Sequence, residues 1–193
     1  MSTSAPTARD RILDAARELF YAQGIRAISA DKVIERAGIT KVTFYRHFPT
    51  KDQLVVTYLR RHAAWEQAFL EGMRADADGP EEVLHGFARW IGYEACKPSF
   101  RGCAFINAAA EYAEPDSPVR AVIAEHRAWY HQMFASVLEE LGVPGAEQAA
   151  EELMMLRDGA MLAGYLNEPA KIADALDTAI FAVVESRRPR SED

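Results

Sequence analysis

Lys41, Thr43, Tyr45, Arg46 and His47 fall within seven residues, and together they offer cationic groups, hydroxyls and a ring nitrogen. Such groups suit a phosphodiester backbone and the base edges between its strands. The elements needed to present them can be read on either side. Gly38 can take the left-handed conformation that closes one helix and turns the chain. Thr40 has a side-chain oxygen to cap the next helix, which Pro49 cannot continue. About two turns remain between them, too short to be stable in isolation. Phe44 and Phe48, four apart, would pin one face of this helix to a small core. Lys41, Thr43, Arg46 and His47 then point outward, with Tyr45 at the margin. A short cationic helix braced by two rings suits the DNA major groove. There Arg46 or Lys41 could bond guanine O6 and N7, while Val42 or Thr43 could pack on a thymine methyl.

The flanking residues extend the pattern. Ser29-Ala30-Asp31-Lys32-Val33-Ile34-Glu35-Arg36-Ala37 reads as a capped helix ending at Gly38, so the order is helix, glycine turn, short helix. Through Tyr45-Arg46-His47-Phe48 and on to Lys51-Asp52-Gln53-Leu54, residues 8–60 resemble the DNA-binding domain of the TetR family of transcriptional regulators. The Gly102-Cys103-Ala104-Phe105-Ile106-Asn107 stretch more loosely resembles the start of the regulatory domain in some branches of that family. The resemblance implies that Tyr45, His47 and Lys51 contact backbone phosphate, and that Thr40, Lys41, Val42 and Arg46 stand where base edges are read. Ala30 replaces a threonine that often bonds phosphate in the family. Asp31 would either place a carboxylate near the DNA backbone or stabilise its own helix N-terminus.

The charge distribution agrees with a basic DNA-facing head on an acidic body. The chain carries −7 overall, yet residues 1–61 hold eleven Lys/Arg against six Asp/Glu, or +5, and residues 62–193 hold eleven against twenty-three, or −12. At 193 residues and 49% hydrophobic content the chain can bury an ordinary core. It has no run of about 18 apolar residues to cross a bilayer, and Met1-Ser2-Thr3-Ser4-Ala5-Pro6 lacks the pattern of a secretory signal. Two cysteines, Cys96 and Cys103, make neither a disulfide framework nor a complete zinc site. The expectation is a cytoplasmic, reduced protein with no membrane partner and no cofactor.

Helical periods run through the rest of the chain. Ile12, Ala16, Leu19 and Phe20 mark a first helix that starts at the capping signal of Thr7 and Asp10 and ends at Gly24. A capping box at Thr50 and Gln53 opens a long helix to about Ala75, with Leu54, Tyr58, Trp65 and Phe69 on one face. Further helices follow from Pro80 to Lys97, from about Gly102 to Tyr112 and from Pro118 to Gly142, then over about 146–166 and 168–186. Residues 1–6 and 187–193 read as solvated ends. The fold expected is all-α with about nine helices. A three-helix helix-turn-helix DNA-binding domain spans residues 1–50, and a helical effector-binding and dimerisation domain spans 51–193.

A two-turn helix reads few base pairs, and pairing two copies about 34 Å apart on a palindrome overcomes this. Gly159, Ala160, Ala163 and Gly164 supply small residues at interlocked four-residue spacings, and Leu176, Ile180 and Val183 form an apolar stripe on the last helix. In the family the last two helices make a four-helix dimer interface, so these seven are the expected homodimer contacts. An alternative is an intramolecular seam. An apolar effector cavity would draw on Trp65, Phe69, Trp90, Tyr93, Cys103, Phe105, Asn107, Trp129, Tyr130 and Met155, together with Phe134, Met154 and Met161. Asn107 and Tyr93 are the polar handles of that set, although stripes of this kind also build plain core.

Catalytic readings find little footing. Cys103 with His126 or His131 would need a pairing that nothing in the sequence imposes. The two histidines, five apart, share no helical metal face. Glu111, Glu114 and Asp116 read as solvated helix ends. The expected function is therefore a non-enzymatic regulator that binds double-stranded DNA as a homodimer at a palindromic operator. Family habit makes it a repressor, released by an unknown small, largely apolar effector. The competing class is a helical enzyme or carrier for a lipid-like substrate.

Overall fold

Caps and glycines set the helix boundaries, as the sequence suggests. The computed structural model describes residues 5–166 and 169–188; the remaining terminal residues, and residue 168 where the last helix was expected to begin, lie outside that set. Nine α-helices occur among the described residues: α1 Ala8–Gln23, α2 Ala30–Ala37, α3 Lys41–His47, α4 Lys51–Asp76, α5 Pro80–Ala95, α6 Ala104–Glu111, α7 Pro118–Glu140, α8 Ala146–Leu166 and α9 Ile172–Arg187. A 3-10 turn, Pro169–Lys171, precedes α9, and no strand occurs among the described residues. None of these helices is long and apolar enough to cross a membrane.

The helices form two compact units, one made of residues up to Ala64 with Ala104–Ala124, the other of Trp65–Cys103 with residues from Glu125 onward. Helices α4 and α7 each contribute to both. This grouping differs from a single cut at residue 50, because α6 and the start of α7 pack with the N-terminal helices.

In the first unit Ile12, Ala16, Phe20, Ile28, Val33, Phe44, Leu54 and Leu59 are buried together with Phe105 and Ala108 of α6. Thr7 and Asp10 form a reciprocal capping box at α1, which satisfies donors that the first helical turn leaves open. In the second unit Phe87 meets Phe134 edge-on, with ring centroids 5.0 Å apart, and Leu84, Ile91, Val137, Leu138 and Leu153 fill in around them. Helix α9 packs against α5 and α8. A Cβ on Gly92 would lie 2.6 Å from the Ala173 Cβ, so only glycine permits that crossing of α5 and α9.

That packing corrects part of the pairing surface read from sequence. Leu176 and Ile180 are 3% and 1% exposed inside the protomer, and a Cβ on Gly164 would come within 2.8 Å of the Ala95 Cβ. These three serve the seam between α5, α8 and α9 rather than a partner copy. Periodicity shows that a stripe is apolar but not which neighbour covers it.

Candidate nucleic-acid interface

The glycine turn and the short helix after it take the expected form. Gly38 sits at φ 62° and ψ 44°, and its N–H donates to the carbonyls of Ile34 and Glu35, which closes α2. The Thr40 hydroxyl accepts the Thr43 N–H at 3.2 Å and lies 2.9 Å from the Thr43 hydroxyl, so both threonines take part in starting α3. Phe44 and Phe48 are 0% and 2% exposed. Their rings stand 6.3 Å apart, the Tyr45 ring meets Phe44 edge-on, and the Arg9 guanidinium covers Phe48.

With that face anchored, the opposite face is open to solvent. Lys41, Val42, Tyr45 and Arg46 are exposed, while Thr43 and His47 are half-buried. Val42 is 79% exposed, unusual for a branched apolar side chain flanked by cations and well suited to a methyl-bearing base edge. The Lys41 ammonium of α3 lies 3.3 Å from the Asp31 carboxylate of α2, with both side chains largely in solvent. Lys51 begins α4 with its ammonium 6.0 Å from the centre of the Phe20 ring. Burial pulls its pKa down, against the opposing pull of Glu111 and Asp52.

Sequence reasoning missed the long-range contacts made at the end of α6. Glu111, read as a solvated helix end, accepts the backbone N–H groups of Ile25 and Arg26 at 2.8 and 2.6 Å. Nothing local marks it, since its partners lie 86 and 85 positions away.

The residues expected to line an effector cavity are dispersed. Trp90, Cys103, Phe105 and Tyr130 are buried, and Trp129 is half-buried. Trp65, Phe69, Tyr93, Asn107 and Met155 are exposed. Phe105 and Asn107 belong to the first unit and the others to the second. Leu54 and Tyr58 are buried, while Trp65 and Phe69, expected on the same face of α4, are exposed. Trp65 stacks on Phe69, which leans on Trp90. The Lys97 ammonium stands over the Tyr93 ring.

Deeper in the second unit lies a polar group that hydrophobic periodicity had passed over. Arg157 is 1% exposed, with its guanidinium 4.5 Å from the centre of the Tyr130 ring, Nη1 on Asp158 and Nη2 3.5 Å from the Cys103 sulfur. Glu66 bonds His126 at 2.7 Å and lies 3.4 Å from the Tyr130 hydroxyl. Cys103 thus faces an arginine, and His126 a glutamate, rather than each other. No cluster of three or more His, Cys, Asp or Glu suited to a metal occurs among the described residues.

The likeness to known proteins spans both units. Residues 12–57 match the family described as bacterial regulatory proteins, tetR family, and residues 113–186 match the tetracyclin repressor-like C-terminal domain. A TetR-family transcriptional regulator from Streptomyces coelicolor superposes with a TM-score of 0.88 at 34% identity, covering 93% of this chain and 95% of that one. The chain belongs to the TetR family of transcriptional regulators. Among curated relatives, the HTH-type transcriptional regulator LmrA of Bacillus subtilis is 29% identical over 136 residues, 68% of this chain and 69% of its own length. The uncharacterized regulator YvkB of the same organism is 33% identical over 75 residues, which span only 39% of either chain. The match to a third, the activator FasR of Mycolicibacterium smegmatis, spans 25% of that protein. The chain thus aligns with well under two thirds of two of these relatives.

Proposed function

We propose that the protein is a cytoplasmic, ligand-responsive repressor that binds a palindromic operator in double-stranded DNA as a homodimer. The observation that supports this best is the outer face of α3, where exposed Lys41, Val42, Tyr45 and Arg46 rise from a helix held by Phe44 and Phe48. Residues 1–50 act as the DNA-binding domain. Tyr45, His47 and Lys51 position the helix on phosphates, while Thr40, Lys41, Val42, Thr43 and Arg46 meet base edges. Pairing uses the open surfaces of α8 and α9. Gly159, Ala160, Ala163 and Val183 remain candidates there, joined by exposed Met155, Leu162 and Leu166. A small, largely apolar effector bound among Trp65, Phe69, Trp90 and Tyr130 of the second unit releases the operator by favouring a state in which the two α3 helices are mis-spaced. It can shift the equilibrium only by its differential affinity for the two states, a coupling of about 1–3 kcal/mol.

Titration of the protein against duplex from its own upstream region, repeated across salt, tests this reading. Affinity should fall steeply as salt rises, because phosphate contacts release counterions. Binding that is absent at low ionic strength, or indifferent to salt, overturns it. Sedimentation equilibrium at micromolar concentration should show a dimer; monomer alone removes the pairing.

A further inference from the structure

Helix α1 ends at Gly24, and the next two residues face a difficulty common to helix ends. Their amides have left the helical ladder; that of Ile25 is part-buried and needs a partner, while that of Arg26 is open to solvent. The Ile25 and Arg26 amides donate to the two oxygens of a single carboxylate, that of Glu111, the last residue of α6. Carboxylate bonds to backbone N–H are short and strong, and a bidentate one also fixes direction. Gly24 makes room for it. At φ 89° its backbone is in the region glycine favours, and a Cβ there would stand 3.2 Å from the Glu111 oxygen.

The following residue makes a second connection. Tyr112 donates its hydroxyl to Asp52 at 2.9 Å, and burial, reinforced by that bond, pushes the phenol's pKa well up. Consecutive residues at the end of α6 therefore hold the turn between α1 and α2 and the first turn of α4. These two segments bracket the helix-turn-helix, and Lys51 lies in the field of Glu111 and Asp52. At the other end of α6, Phe105 is buried and stacks on His62 of α4.

We propose that Glu111, with Tyr112 beside it, is a positioning residue for sequence-specific DNA recognition: it fixes the α1–α2 turn against α4, and so sets the angle at which α3 is offered. The proposal rests on the DNA-binding reading above. Neither side chain lies on the outer face of α3. Their removal should therefore lower discrimination between sequences without removing the charges that give general affinity.

The test uses the full chain and four proteins: unmodified, Glu111→Ala, Glu111→Gln and Tyr112→Phe. Each is titrated against a specific upstream duplex and a random-sequence duplex of equal length, with thermal unfolding followed in parallel. Loss of a bond to a charged acceptor corresponds to about a tenfold change. Glu111→Ala should lower the ratio of specific to random affinity by about that much, and Tyr112→Phe by about threefold, because its bond to the Asp52 carboxylate lies in solvent, where charge assistance is screened. Random-duplex affinity should stay within about twofold, or rise slightly where Glu111 is replaced, since the phosphate-facing cations remain and Lys51 loses an opposing carboxylate. Should Glu111→Ala fail to fold, Glu111→Gln, which keeps the volume and one acceptor oxygen, carries the test with a smaller drop of the same kind. A ratio unchanged in the folded variants overturns the proposal. So does a parallel fall in both affinities that tracks a lowered melting temperature, because it shows a structural role alone. If the unmodified protein binds neither duplex, the DNA-binding reading fails, and the proposal with it. If it binds specifically and the variants match it, only the proposal fails.

Discussion

Helix α3 and the cluster around Arg157 both carry positive charge among aromatic rings, yet they use it in opposite ways. On α3 the rings are buried and the cations exposed: Phe44 is 0% exposed, while Lys41 and Arg46 stand in solvent. Around Arg157 the cation itself is inside, covered by Tyr130 and bonded to Asp158. An exposed charge costs little to keep and stays available to a partner. A buried one costs several kcal/mol to desolvate and must be repaid by neighbours within the fold. Substitutions in the two places should therefore have different consequences.

The largest effect is expected in the buried cluster. Arg157→Ala removes the cation beside Tyr130 and Cys103 and leaves Asp158 with one partner fewer. Asp158 is partly exposed and keeps Arg127, so the cost is chiefly the void left by a fully buried large side chain, about 3–5 kcal/mol as for a buried Phe or Trp cut to Ala. Chemical denaturation should show this loss, with base preference unchanged at temperatures where the variant is folded. An altered base preference would blur the contrast. Phe44→Ala strikes the brace instead. A buried Phe→Ala change costs about 3–5 kcal/mol, less if the small first unit can collapse around the gap. Specific DNA binding should be lost while amides of the second unit keep their protection from exchange.

Smaller effects follow. Gly92→Ala would force the close crossing of α5 and α9 apart, and overpacking of that kind costs about 1–3 kcal/mol. Operator affinity should move only through stability or dimer concentration. Smallest is the α1 cap. Its bonds to Thr7 hold the Asp10 carboxyl below its ordinary pKa of 3.8. The folded pKa is thus the lower one, so this contribution is present above about pH 4 and fades as pH falls through the folded value. Thr7→Ala should cost about 1 kcal/mol near neutral pH and flatten that acid slope, as thermal unfolding across pH 2–6 (approximately, spanning the carboxylate range) would record.

The contrast also explains what could be read from sequence. The head was legible because its determinants are local. Gly38, Thr40, Phe44, Phe48 and Pro49 lie within twelve residues and fix one another. Helix boundaries elsewhere were legible for the same reason, through Gly24, Pro80 and Pro118. The Glu111 bonds, the Glu66–His126 pair and the burial of Arg157 were not, because each joins or covers groups that are distant along the chain. Leu176 and Ile180 were correctly apolar but wrongly assigned to a partner, since a period of 3.6 carries no information about which surface closes over it.

The central claim is that the exposed face of α3 reads DNA, with its cations and hydroxyls divided between phosphates and base edges. The most direct measurement is selection from a randomised duplex pool by the unmodified protein, Lys41→Ala and Tyr45→Phe, each repeated at two salt concentrations. The account predicts a changed consensus for Lys41→Ala, and for Tyr45→Phe an unchanged consensus with weaker binding to every sequence. The same consensus from all three proteins, or none from the unmodified one, would contradict it.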